Sequence, residues 1–153
     1  LIKTGGLYRL NYNSQADIVV NQGGTSSGKT YAILQVLFSL AIKSECTITV
    51  VGQDIPNLKV GALRDALDII NADEVIQQQL ASYNRSERLM TFLNKSVIEF
   101  NSYDNEQDAK SGKRDYLFVN EANGIPYNVF EQLSLRTRKK VFIDYNPDTS
   151  FWV

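Results

Sequence analysis

Eight consecutive residues, Gly23-Gly24-Thr25-Ser26-Ser27-Gly28-Lys29-Thr30, constrain what this chain can fold into more than any other stretch. They match the pattern G-x-x-x-x-G-K-[ST] and lie between an apolar run, Ile18-Val19-Val20, and a long apolar helical pattern. A strand, a glycine-rich loop and a helix in that order form an anion cradle, because loop N–H groups and the helix N-terminus face the same point. In such a cradle Lys29 reaches the β- and γ-phosphates and the Thr30 hydroxyl faces Mg²⁺. The expected ligands are a nucleoside triphosphate, read as ATP, and Mg²⁺. Residues 23–30 are expected to hold the phosphates, with Tyr31 immediately after them. An ordinary Gly/Ser loop between strand and helix is the competing reading, and the flanking elements weigh against it.

At 153 residues and 43% hydrophobic the chain suits one domain with a real core. Its 16 Lys and Arg against 17 Asp and Glu give a net charge of −1, so a globally basic nucleic-acid binder is not indicated. A local basic patch is compatible with that balance. Cys46 is the only cysteine and there is no histidine, which excludes a disulfide framework and a Cys/His zinc site. Cys46 reads as a small core residue. There is no secretory signal pattern and no apolar run of membrane-spanning length, so no membrane partner is expected and a cytosolic location follows. The apolar ending at residues 149–153 reads as a cut rather than a finish, and the chain as a fragment of a longer protein.

Along the chain, Tyr8-Arg9-Leu10 reads as a short edge strand and residues 17–22 as the first central strand. Residues 30–43 are apolar almost all round, which predicts a helix packed on more than one side. Residues 47–51 form a β-branched strand. The spacing of Leu58, Ala62, Leu63, Ala66, Leu67 and Ile70 predicts one amphipathic helix. Residues 88–92 and 96–101 predict a hairpin turning at Asn94-Lys95. A buried strand at 116–120, a short helix at 127–135 and a last strand at 139–144 complete the pattern. The fold class is therefore α/β: a mostly parallel sheet flanked by helices, with an antiparallel hairpin inserted. Ligands of such sheets sit beyond the carboxyl ends of the strands. The phosphate loop lies there, as do Asn120-Glu121 and Asp144-Tyr145-Asn146.

Asn120-Glu121 separates the reaction classes. In many P-loop ATPases a carboxylate at the end of this strand contacts the Mg²⁺ shell, and a Glu just after it orients the attacking water. Glu121 is the expected catalytic carboxylate, since hydrolysis needs a water held in line with the γ-phosphate. A solvated loop carboxylate is the plainer alternative. Asn120 offers a neutral amide where charge is expected, and it is assigned to the metal through an outer-shell water contact.

With these residues in order, the chain resembles the ATPase domain of the large terminase subunit, the genome-packaging motor of tailed bacteriophages. The likeness runs over nearly the whole chain, through VVNQGGTSSGKT, VVGQDIPNLKVGALRDAL, LMTFLNKSVIEFNSYD, AKSGKRDYLFVNEAN and FIDYNPD. The resemblance implies a P-loop NTPase of the additional-strand, catalytic-glutamate (ASCE) type. It further implies a homo-oligomeric ring on the portal protein, working with the small terminase subunit, that drives double-stranded DNA into a procapsid in the host cytoplasm. A nuclease domain of RNase H-like fold is expected past Val153. Asn146, in the Asp144-Tyr145-Asn146-Pro147 turn, carries over as the residue coupling hydrolysis to motion.

Two departures from the family pattern matter. Asn120 stands where most relatives have Asp, and Thr25 where many have an Arg that acts on the transferring phosphate. Charge on that group needs a cation beyond Lys29 and Mg²⁺. The cluster Lys110, Lys113 and Arg114 is the expected substitute, with Arg114 and Lys110 as catalytic candidates facing a neighbour's site. A solvated basic loop is the equal alternative. The run Arg136, Arg138, Lys139 and Lys140 reads as a helix end leading into a strand rather than a DNA contact. Tyr8, Tyr12 and Tyr31 are candidates to stack on adenine, with core packing an equal reading for Tyr31. The competing functions are a helicase- or recombinase-like ATPase, a P-loop kinase, and a nucleotide-binding scaffold that no longer hydrolyses.

Overall fold

The computed structural model describes residues 5–15, 17–23, 28–104, 106–147 and 152. Among the described residues seven strands form one sheet: β1 (Ile18–Gln22), β2 (Thr47–Val51), β3 (Leu80–Asn84), β4 (Leu89–Phe92), β5 (Val97–Asn101), β6 (Arg114–Val119) and β7 (Thr137–Tyr145). Their order is β1-β7-β6-β2-β5-β4-β3. The first five in that order pair in parallel, whereas β4 and β3 are antiparallel. β7 stands between the phosphate-loop strand β1 and the Glu121 strand β6, which is the additional strand that names the ASCE-type class.

The helices are α1 (Gly6–Asn13), α2 (Lys29–Lys43), α3 (Ile55–Val60), α4 (Ala62–Ala72), α5 (Glu74–Gln79), α6 (Glu106–Ala109) and α7 (Tyr127–Leu135). Side chains on a strand alternate between faces, and the sheet divides its core accordingly. Phe118, Phe142, Ile48 and Val50 pack with α2 and α4 on one face. Leu117, Val119, Val141 and Ile143 pack with α7 on the other. Ile33, Leu37 and Phe38 are fully buried, so α2 lies in the deepest part of the first core.

Four expectations are corrected. Residues 8–10 belong to helix α1 rather than an edge strand: Tyr8 and Tyr12, one turn apart, stack at 5.6 Å, and the Tyr8 hydroxyl meets Ser39 Oγ on α2 at 2.9 Å. Asn11 and Asn21 exchange amide hydrogen bonds of 3.0 and 2.7 Å, tying α1 to β1. β1 pairs only with β7 and so lies at the edge of the described sheet, not in its centre. The single helix expected over 58–70 is two. Asp54 caps α3 by accepting from Asn57 N–H at 2.7 Å, and the backbone breaks at Gly61 before α4 starts. Finally, β3 adds a largely exposed edge strand to the expected hairpin, whose own strands stand at 89–92 and 97–101.

Gly52, at the end of β2, is required by close packing: a Cβ there would lie 2.6 Å from Leu58 Cγ and 2.7 Å from Cδ2. Leu58 is buried and cannot swing away. Gly52→Ala is expected to destabilise the chain by about 1–3 kcal/mol, read as a lower denaturant midpoint at unchanged slope.

Candidate functional site

The site is assembled where β6, β7 and α2 meet. Val119 on β6 stands opposite Ile143 on β7, so Asn120 and Asp144 follow side by side. Two residues back, Phe118 and Phe142 point into the α2 core, and the period-two alternation sends 120 and 144 to that same face. Above them α2 begins. Its N-cap, Gly28, has φ +77°, a left-handed turn that glycine adopts without strain, and Lys29 and Thr30 form the first helical turn. Thr30 Oγ1 donates to Asp144 Oδ2 at 2.7 Å. Asn120 Nδ2 donates to Asp144 at 3.2 and 3.1 Å and reaches Thr30 Oγ1 at 3.3 Å. The Glu121 backbone N–H completes the set at 2.5 Å from Asp144 Oδ1.

Asp144 is fully buried. Burial pushes its carboxyl pKa up, against the lowering effect of the Glu121 N–H, the Thr30 hydroxyl, Lys29 and the Asn120 amide. Lys29 is also buried. Glu121 itself is exposed at the mouth. Its φ of +52° is a left-handed conformation that costs an L-residue about 1–2 kcal/mol. The bond from its N–H to Asp144 holds that turn.

These residues open on a cleft of about 250 Å³ lined by Gly28, Lys29, Thr30 and Tyr31 from the start of α2, Asn120 and Glu121 from the end of β6, and Val60 to Ala62, Arg64 and Asp65 from the α3–α4 segment. The break between α3 and α4 shapes that part of the lining. Among the described residues no group of three or more Asp, Glu, Cys or His gathers to form a metal cage. The Thr30 hydroxyl and the Asp144 carboxylate are hard oxygen donors, a set that fits Mg²⁺ held jointly with phosphate oxygens and water.

The expected residues therefore divide. Gly28, Lys29, Thr30, Tyr31, Asn120 and Glu121 line one cleft. Gly23 sits at the end of β1, its N–H bonded to Tyr145 O at 3.2 Å. Gly24, Thr25, Ser26 and Ser27 lie outside the described residues. Asn120 turns its amide nitrogen to Thr30 Oγ1 and to the Asp144 carboxyl group. Tyr8 and Tyr12 pack on α2 away from the cleft lining.

Arg114 is a correction. It begins β6, at the opposite end of the sheet and roughly 20 Å from Glu121 by strand rise. It is 2% exposed, with its guanidinium donating to Thr49 Oγ1 at 2.9 Å, Leu133 O at 3.1 Å and Ser111 O at 3.5 Å. A side chain buried that way reaches neither its own nor a neighbour's phosphate. Lys110 lies at that same end, 3.5 Å from Glu106, with its carbonyl accepting from Arg136. It is outside the cleft of its own chain. The cations at 138–140 are engaged locally: Arg138 with Asp115 at 3.6 Å, Lys139 over the Tyr116 ring, Lys140 with Ser14 O.

A family profile described as terminase large subunit, T4likevirus-type, N-terminal, matches residues 21–150. The chain belongs to this terminase family. Among solved structures, the large terminase from a thermophilic bacteriophage superposes with a TM-score of 0.75 at 16% identity, covering 95% of this chain and 39% of that one. The same protein in complex with ADP gives 0.75 at 14% identity, over 95% and 39%. The large terminase ATPase domain of Thermus phage P74-26 gives 0.72 at 15% identity, over 98% of this chain and 67% of that one. At such identities the likeness carries the fold. This terminase chain spans about two fifths of the first of those proteins. Comparison with curated proteins gave no match.

Three residues of the terminase site escape a reading of the sequence. Asp144 is placed by the sequence at the ligand end of the sheet but given no role there, and its burial against Thr30 is a consequence of strand order. Arg64 sits within an amphipathic helix pattern that marks no site, yet it lines the same cleft as Glu121. Asn123 joins the two loops: its Nδ2 donates to Asn146 O at 2.8 Å and its Oδ1 accepts from Asn146 N–H at 3.0 Å.

Proposed function

We propose that this chain is the ATP-hydrolysing motor domain of a large terminase subunit, and that turnover in the cleft drives double-stranded DNA into a procapsid. The observation that carries the reading is the convergence, in a terminase-family chain, of Lys29, Thr30 and Glu121 on one cleft at the carboxyl ends of the strands. A related large terminase of the same fold has been solved with ADP, which supports nucleotide as the ligand.

Lys29 binds the terminal phosphates and fixes their direction. Thr30 is the residue that would hold Mg²⁺, with Asp144 and Asn120 behind it acting through the Thr30 hydroxyl and water. When bound, the cation neutralises charge building on the transferring group and its leaving oxygens. Glu121 accepts a proton from a water and holds it in line with the γ-phosphorus. Its left-handed backbone and its N–H bond to Asp144 set where the carboxylate points. Arg64 takes the role that Arg114 cannot, supplying the further cation to the transition state from the α4 wall of the cleft. Asn146 couples hydrolysis to motion through Asn123: the loop carrying Glu121 and the turn after β7 are joined by two hydrogen bonds, so displacement of one moves the other. The assembled state is a ring on the portal protein in the host cytoplasm, with the small terminase subunit as a further partner. In that ring Lys110 is available to an adjoining subunit.

Arg64→Ala is expected to lower ATP turnover by on the order of 10²-fold with little change in nucleotide affinity. Steady-state phosphate release and equilibrium nucleotide titration separate the two effects. The wider reading is tested by phosphate release with and without double-stranded DNA. Acceleration by the duplex is the expected result, and delivery of the phosphoryl group to a small acceptor instead of water is the contradicting one.

A further inference from the structure

The negative charge that a metal-shell aspartate would bring is absent from position 120, yet a carboxylate lies one strand over. We propose that Asp144 is the metal-positioning carboxylate of this site and that Asn120 is its hydrogen-bonding complement, the two side chains having exchanged roles across the β6–β7 pair. The inference rests on the nucleotide-binding reading above.

Four observations support it. Asp144 accepts the Thr30 hydroxyl proton at 2.7 Å. A threonine that donates its proton inward and accepts one amide bond from Asn120 keeps an oxygen lone pair for a cation in the cleft. Second, Asp144 is fully buried and surrounded by three donors: Thr30 on α2, and Asn120 and the Glu121 backbone N–H from the segment after β6. Those hydrogen bonds, with Lys29 close by, favour the charged form against the burial that raises its pKa. Third, the Asn120 amide nitrogen is within 3.2 Å of both Asp144 oxygens. An aspartate at 120 would set two carboxylates at that separation, where both cannot be ionised. The amide at 120 therefore follows from the carboxylate at 144. Fourth, Mg²⁺ keeps several waters and needs only one or two carboxylates beside the phosphates. A single buried carboxylate behind Thr30 meets that need. Asp144 acts through Thr30 and water, as a positioning residue.

The test titrates a fluorescent ADP analogue into wild type, Asp144→Asn and the exchange variant Asn120→Asp/Asp144→Asn, in Mg²⁺ and in EDTA. Wild type is expected to bind more tightly in Mg²⁺. Asp144→Asn should lose about 10–100-fold of that metal-dependent gain while its affinity in EDTA stays close to wild type. The exchange variant keeps one carboxylate and one amide across the same contact and should recover the gain. A merely structural Asp144 predicts something else, an equal loss of affinity in both buffers, and that result overturns the proposal. So does a metal-dependent gain that survives Asp144→Asn. If the single variant fails to fold, the exchange variant decides: binding in EDTA with no gain in Mg²⁺ overturns the exchange of roles. Wild type that binds nucleotide without any metal-dependent gain sinks this inference alone, whereas no binding in either buffer sinks the nucleotide reading with it.

Discussion

Glu121→Gln is expected to lower steady-state ATP turnover by about 10³-fold while nucleotide affinity stays near that of wild type. A positioned general base contributes roughly 10²–10⁴-fold, and a glutamine of the same shape keeps the contacts but cannot take a proton. The backbone at 121 is held by its N–H bond to Asp144 Oδ1, which a side-chain substitution leaves in place. Because Glu121 is exposed at the cleft mouth and reaches no core residue, folding is not at stake. Equal losses in affinity and turnover would place the carboxylate in ground-state binding instead.

Arg114→Ala has the other large effect, and it falls on stability. The guanidinium is 2% exposed and serves three acceptors, Thr49 Oγ1 and the carbonyls of Leu133 and Ser111. Thr49 in turn donates to Glu99 Oε1 at 2.7 Å, so the arginine closes a polar chain running through β5, β2 and β6. Truncating one member of a buried charged network costs about 3–5 kcal/mol, because its partners remain buried without their bonds. For a domain of this size each kcal/mol shifts Tm by roughly 2–4 °C. A drop of about 6–20 °C is therefore expected in thermal unfolding. A variant as stable as wild type but slow in turnover would return Arg114 to the catalytic machinery. Arg114→Lys is expected to recover little, since a single ammonium cannot serve three acceptors set by a planar fork.

What the sequence makes legible follows from where the constraint is local. The helix start at Lys29 is legible because the Gly-Lys-Thr pattern marks it, and residues 47–51 and 127–135 are read to the residue because β-branching and helical periodicity are unmixed there. Tyr8-Arg9-Leu10 misleads because three residues carry no period. The i, i+4 pair Tyr8 and Tyr12 is the available signal for α1. β3 is mostly exposed, so its side chains show no alternation to find. The break at Gly61 is hidden because the apolar spacing continues across it.

The site is legible as residues and illegible as an arrangement. Glu121 and Thr30 are found by motif, whereas the link between Thr30 and Asp144 spans 114 positions and exists only because β7 lies between β1 and β6. Arg114 misleads for the same reason in reverse. A basic residue near Glu121 in sequence lies at the far end of β6 in space. Direction along a strand, which a motif does not state, decides both.

The central claim is that the terminal phosphate of ATP lies between Lys29 and Glu121. A crystal structure with Mg²⁺ and a non-hydrolysable ATP analogue tests it most directly. The account predicts the γ-phosphate against Lys29 Nζ, with the Glu121 carboxylate facing it across one water. A cleft empty at saturating analogue, or a Glu121 side chain turned from the phosphate, would contradict it.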